Sequence, residues 1–133
     1  MAKRIGMMAI AIALLGCETF LPATDADRSM EIPAPAGVAF TALKATFAEL
    51  LIDITDGDAE TGYLVGERVY GSGVFMATTI MRYRVTVYDA AGGSRIQARL
   101  TFGSEGERQY EATADMYADF WDAFRAQLAR ASE

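Results

Sequence analysis

Histidine is absent from the 133 residues, cysteine occurs once and proline three times. Without histidine the chain lacks the commonest general base and metal ligand, and Ser-His or Cys-His catalysis is excluded. A single cysteine permits no internal disulfide. No stretch approaches the ~20 apolar residues that a membrane-spanning helix needs. No phosphate-cradling loop is present either, since "GSG" at Gly71 to Gly73 lacks the lysine and the strand–loop–helix setting. With 18 acidic residues, carboxylate pairs arise by chance, and nothing marks one as an acid/base couple. The chain therefore reads as a non-enzyme. No cofactor is implied. Basic residues are outnumbered 12 to 18, which argues against nucleic acid as a partner.

The one cysteine, Cys17, stands where a basic start and a short apolar run end. "MAKR" carries two positive charges and no acid, an uncharged stretch runs from Ile5 to Gly16, and Glu18 follows the cysteine. That is the layout of a secretory signal, with a charged n-region, a brief apolar h-region and a small residue at the cut. "LLGC" (Leu14 to Cys17) resembles the lipobox of bacterial lipoproteins, with leucine where a small residue is commoner. The resemblance implies removal of residues 1–16 and acylation of Cys17. Glu18, in place of aspartate, implies delivery to the outer membrane, facing the periplasm. Lys3 and Arg4 leave with the signal, so the mature chain is more acidic still. Membrane attachment then rests on acyl chains, at ~0.8 kcal/mol per buried CH₂. An ordinary secretory signal with a chance cysteine is the alternative.

Residues 17–27 form a short tether and residues 28–133 a stretch of single-domain length. "RSMEI" alternates as a short strand, with Met30 and Ile32 on one side. From Val38 to Leu51, Phe40, Leu43, Phe47, Leu50 and Leu51 recur at helical spacing. "IDITDGDAETGYLVGERVY" reads as two strands with Asp56-Gly57 as the turn between them. The acids Asp53, Asp56, Asp58 and Glu60 invite a calcium reading, but their spacing is not that of a calcium loop. Strands there are also expected to split the carboxylates between two faces, leaving a solvated turn.

The clearest hairpin follows. Met81, Tyr83, Val85 and Val87 alternate with arginine and threonine, Ala90 to Gly93 turn the chain, and Ile96, Ala98, Leu100 and Phe102 alternate in return. A last helix, about Thr113 to Ala131, aligns Tyr117, Phe120, Trp121, Phe124 and Leu128. This order predicts an α+β two-layer sandwich: an antiparallel sheet of about five strands with two helices on one face. A lipobox followed by strand, helix, strands and helix resembles small bacterial envelope lipoproteins of the helix-grip type, the fold also seen in the BamC component of barrel assembly. BamC carries two such domains and a long N-terminal segment, which this chain does not share.

Three features bear on binding. The aromatic stripe of the last helix reads as core, or as the wall of a ligand cavity. Val74, Phe75 and Met76 read as an exposed apolar contact or a buried strand. Most specific is an arginine set. A turn at Ala90 to Gly93 pairs Tyr88 with Arg95, Thr86 with Gln97 and Arg84 with Arg99, so Arg82, Arg84, Arg95 and Arg99 share the face away from the helices. Like charges opposite one another are destabilising unless neutralised. Either neighbouring acids bridge them, or an anionic partner docks there. The sequence thus predicts a lipid-anchored interaction or accessory module with a protein partner in the envelope. A carrier of a small apolar ligand or lipid, in a cavity between sheet and helix, is the alternative.

Overall fold

The computed structural model describes residues 21–71, 78–104 and 106–131. Cys17 and the Val74–Met76 stretch lie outside the described residues. Strand β1 (Ser29–Ile32) leads to helix α1 (Ala36–Glu49), then to strands β2 (Asp53–Asp58), β3 (Tyr63–Tyr70), β4 (Thr79–Ala90) and β5 (Gly93–Ser104). A two-residue strand, β6 (Tyr110–Glu111), precedes helix α2 (Ala114–Ala131). The sheet is antiparallel throughout, in the order β1-β5-β4-β3-β2, with β6 pairing β5 beside β1. The expected α+β sandwich is observed. The strand β6 was not foreseen because two residues carry no periodicity.

Alternation divides the long strands as the period of two requires. Tyr83, Val85, Val87, Ile96, Ala98 and Leu100 are buried against the helices, while Arg82, Arg84, Arg95, Gln97 and Arg99 are exposed on the other face. Both helices supply the same core. From α1 come Ala39, Leu43 and Phe47, and from α2 come Tyr117, Phe120, Trp121 and Phe124, all buried. The aromatic stripe is therefore core, with Phe120 also bordering a cleft. Phe47, Tyr83 and Phe120 form a triangle of rings with centroids 5.8 to 6.4 Å apart, joining both helices to β4. No helix among the described residues is long and apolar enough to cross a membrane.

Three local readings are corrected. Asp56-Gly57 does not turn the chain; both lie inside β2, and the turn falls between the paired residues Asp58 and Tyr63, with Gly62 at φ +78°. Gly57 is used for closeness instead, since a Cβ there would lie 2.8 Å from the Leu64 side chain. A bulge between Ile54 and Asp56 pairs Asp53 with Glu67 and Asp56 with Val65, so these acids share the open face rather than alternate. The third concerns Leu51, which is 75% exposed rather than part of the apolar stripe. It takes φ 58° and ends α1: its N–H bonds to Ala48 O at 3.2 Å, and the Ile52 N–H to Phe47 O at 2.8 Å. That is the double bond of a Schellman cap, with leucine at the position glycine usually holds.

Where α1 begins, Ser94 of β5 donates from its hydroxyl to Ala34 O, anchoring the chain that leaves β1. Thr113 caps α2, its Oγ1 accepting from the Met116 N–H at 3.4 Å.

Candidate functional site

The predicted β4–β5 register is the one observed. Ala90 pairs with Gly93, Tyr88 with Arg95, Thr86 with Gln97 and Arg84 with Arg99. All four predicted arginines are exposed on the face away from the helices, but their surroundings differ. Arg82 is bridged: its Nε donates to Glu67 Oε2 on β3 at 2.8 Å. Arg95 stands 5.8 Å from the centroid of the Tyr88 ring, its register neighbour. Arg99 reaches only to 3.9 Å from Glu111 Oε2, a charge contact without a hydrogen bond. Arg84 has no ionic or hydrogen-bonding partner among the described residues; beside it lie Arg99 on β5 and Val65 on β3. The two readings of the arginine face thus divide it, with Arg82 in a protein pair and Arg84 open.

A fifth arginine joins this face and escaped the sequence reading. Arg28, just before β1, donates from Nε to Glu111 Oε1 and from Nη1 to Asp25 Oδ1 at 2.7 Å. Glu111 also accepts from the Tyr117 hydroxyl at 3.3 Å. The Arg28 guanidinium is accordingly held charged, with its pKa raised chiefly by the bond to Glu111. The sequence separation of 83 between Arg28 and Glu111 explains why no local pattern marked the pair. A cleft of about 390 Å³ lies here, between the chain entering β1 and the open face of β4 and β5.

A second cleft, of about 250 Å³, opens between the sheet and the helices. Leu50 at the end of α1, Met81 and Tyr83 of β4, and Met116 and Phe120 of α2 form its apolar walls, with Arg68 and Asp119 as its charged groups. The Tyr83 hydroxyl donates to Met81 Sδ at 3.3 Å and lies 3.4 Å from the Tyr70 hydroxyl. Burial, and then the contact with Tyr70, push the Tyr83 pKa above its ordinary value. The Arg68 guanidinium sits 4.5 Å from the Tyr70 ring centroid. Two acids of β2 are engaged locally: Asp56 accepts from the Tyr63 hydroxyl and the Gly57 N–H, and Asp58 from the Glu60 N–H.

No family model matches the chain, and no curated protein matches it. Among solved structures it is similar to a DUF4468 family protein from Bacteroides ovatus, at TM-score 0.48 and 14% identity over 81% of this chain and 90% of that one. It is also similar to Ara h 8.0201, at TM-score 0.43 and 14% identity over 77% of this chain and 93% of that one. Neither of these is a BamC component. Likenesses this distant bear on neither ligand nor partner.

Proposed function

We propose that this chain is a non-catalytic binding module, tethered to the outer membrane through acyl chains on Cys17, that holds a small, mostly apolar ligand between its sheet and helices. The observation that carries the reading is the 250 Å³ cleft walled by Leu50, Met81, Tyr83, Met116 and Phe120. Apolar and aromatic walls with a few polar groups are what small-molecule sites have in common. Its size sets the ligand. At about 250 Å³ the cleft lies just below the ~300–1,000 Å³ of sites for drug-sized ligands, so it suits a smaller guest and not a full lipid. Two methionines on facing elements allow the walls to adapt to such a guest.

Titration with phenol, indole and hexanoate, followed by NMR of ¹³C-methyl-labelled methionine, tests this. Expected is a saturable shift of the Met81 and Met116 methyls together. If none of the three moves them, the carrier reading fails. Mass spectrometry of the protein from a Gram-negative host tests the anchor: residues 1–16 absent and Cys17 acylated are expected, and a soluble form with a free Cys17 thiol would refute it.

A second reading, an interaction module whose arginine face meets an anionic partner, is favoured by the open Arg84 beside Arg99. It uses the opposite side of the sheet and is compatible with the first.

A further inference from the structure

The 390 Å³ cleft on the open face is lined by hydrogen-bond donors that the fold itself leaves unused. Its floor is two adjoining rows of the sheet. In one, Ser29 of β1, Gln97 of β5 and Thr86 of β4 stand side by side; in the next, Arg99 stands beside Arg84. The side chains of Ser29, Gln97, Thr86 and Arg84 make no hydrogen bond among the described residues. Arg28 forms a wall and is fixed in place by Glu111 and Asp25.

Two acids are near, Glu111 beside the cleft and Asp25 in its lining, and Arg28 pairs with both. Glu111 faces Arg28 through Oε1 and Tyr117 through Oε2, which leaves Arg99 at 3.9 Å without a hydrogen bond. Asp25 is held by Arg28 at 2.7 Å and, among the described residues, by no other cation. Arginines at directly opposed positions repel each other, and among the described residues no carboxylate hydrogen-bonds to Arg84 or Arg99. The arrangement is therefore unfavourable in the empty protein and favourable once an anion bridges it.

The donor set selects among anions. A carboxylate has two oxygens, which a single guanidinium fork saturates. Here two arginines at paired positions line one cleft with hydroxyl and amide donors, which suits an anion with at least three acceptor oxygens. We propose that this cleft binds a phosphate group, bridged between Arg84 and Arg99 with Thr86 and Gln97 as further donors. Since the chain as a whole is acidic, at net charge −6, the attraction is local to the cleft and is not long-range steering. The proposal is independent of the ligand between sheet and helices.

The test is calorimetric titration of the intact, processed protein in a nonionic detergent at low salt, with two probes. Inorganic phosphate represents a free or monoester phosphate; dihexanoyl phosphatidylglycerol, below its micelle concentration, represents a lipid headgroup. Saturable binding of at least one probe is expected, weakened by added sodium chloride. Arg84→Gln and Arg99→Gln should each weaken it about tenfold or more, as loss of charge-assisted hydrogen bonds requires. Arg84→Lys, which keeps the charge but not the fork, should fall between. Because both arginines are exposed, the thermal midpoint should hold or rise in each variant, separating lost binding from lost folding. Phosphate binding with these dependences assigns the site to a free phosphate, and binding of the diester alone assigns it to a headgroup. Binding of neither probe, or binding indifferent to both glutamine variants, overturns the proposal.

Discussion

The Leu100 N–H donates to the hydroxyl oxygen of Tyr117 at 2.9 Å, in the gap that β1 and β6 leave along the outer edge of β5. On one side of the gap the Ala98 N–H bonds to Arg28 O, and on the other the Ala112 N–H bonds to Leu100 O. A side chain of the last helix thus completes a backbone ladder. Tyr117→Phe keeps the ring but leaves that buried N–H without a partner, and should destabilise the protein by about 1–3 kcal/mol. Urea unfolding measures the loss, and hydrogen exchange at Leu100 should quicken before its neighbours do. An unchanged exchange rate there would mean the bond is not made.

The common core makes a second expectation. Phe47 and Trp121 are buried on different helices against one cluster. Phe47→Ala and Trp121→Ala should each cost about 3–5 kcal/mol, a large share of a small domain's stability. Trp121 also donates from Nε1 to Asp27 O at 2.7 Å, holding the chain that enters β1. Trp121→Phe should accordingly cost less in volume yet loosen that segment, detectable as proteolysis near Asp27. Two near-neutral alanine variants would show that the helices do not share this core.

Leu51 offers a change in the other direction. A left-handed conformation costs a non-glycine residue about 1–2 kcal/mol, and the exposed side chain returns little of it. Glycine adds freedom to the unfolded chain, which offsets about 0.4–1 kcal/mol. Leu51→Gly should therefore stabilise the protein by about 0.5–1 kcal/mol in chemical denaturation. A loss of stability would mean that the Leu51 side chain makes contacts worth more than the strain.

Alkaline pH should unfold the protein in a manner set by two buried tyrosines. Burial raises the pKa of both Tyr83 and Tyr117 above the ordinary 10.0. The unfolded chain loses those protons first, so above that pH the folded state binds more protons and stability falls as pH rises. The stabilisation is complete below about pH 10 and declines beyond it. Phenolate absorbance should show Tyr83 and Tyr117 titrating late, together with loss of structure, and Tyr83→Phe should lessen the decline. Free titration of all six tyrosines at the ordinary value in folded protein would contradict this.

What the sequence determined by itself follows from short-range periodicity. Alternation over Met81 to Val87 and Ile96 to Phe102 commits one face of each strand to the core, and the Ala90 to Gly93 turn then sets every pair of the hairpin, Arg84 opposite Arg99 included. The two helical stripes were legible for the same reason, because a repeat of three to four residues leaves a single way to bury Phe47 and Trp121. Other features depended on which distant segments meet. Arg28 became part of the arginine cleft only because β1 and β6 flank the same edge of β5, bringing Glu111 to it. Asp56-Gly57 carries the composition of a turn, yet tight packing on Leu64 and the bulge at Ile54 to Asp56 hold it in a strand. Leu51 is apolar and in phase with the α1 stripe, but the chain must reverse there to begin β2, so backbone geometry overrides side-chain character. The division between Arg82, paired to Glu67, and Arg84, left open, is likewise tertiary: the β3–β4 register sets glutamate beside one arginine and valine beside the next.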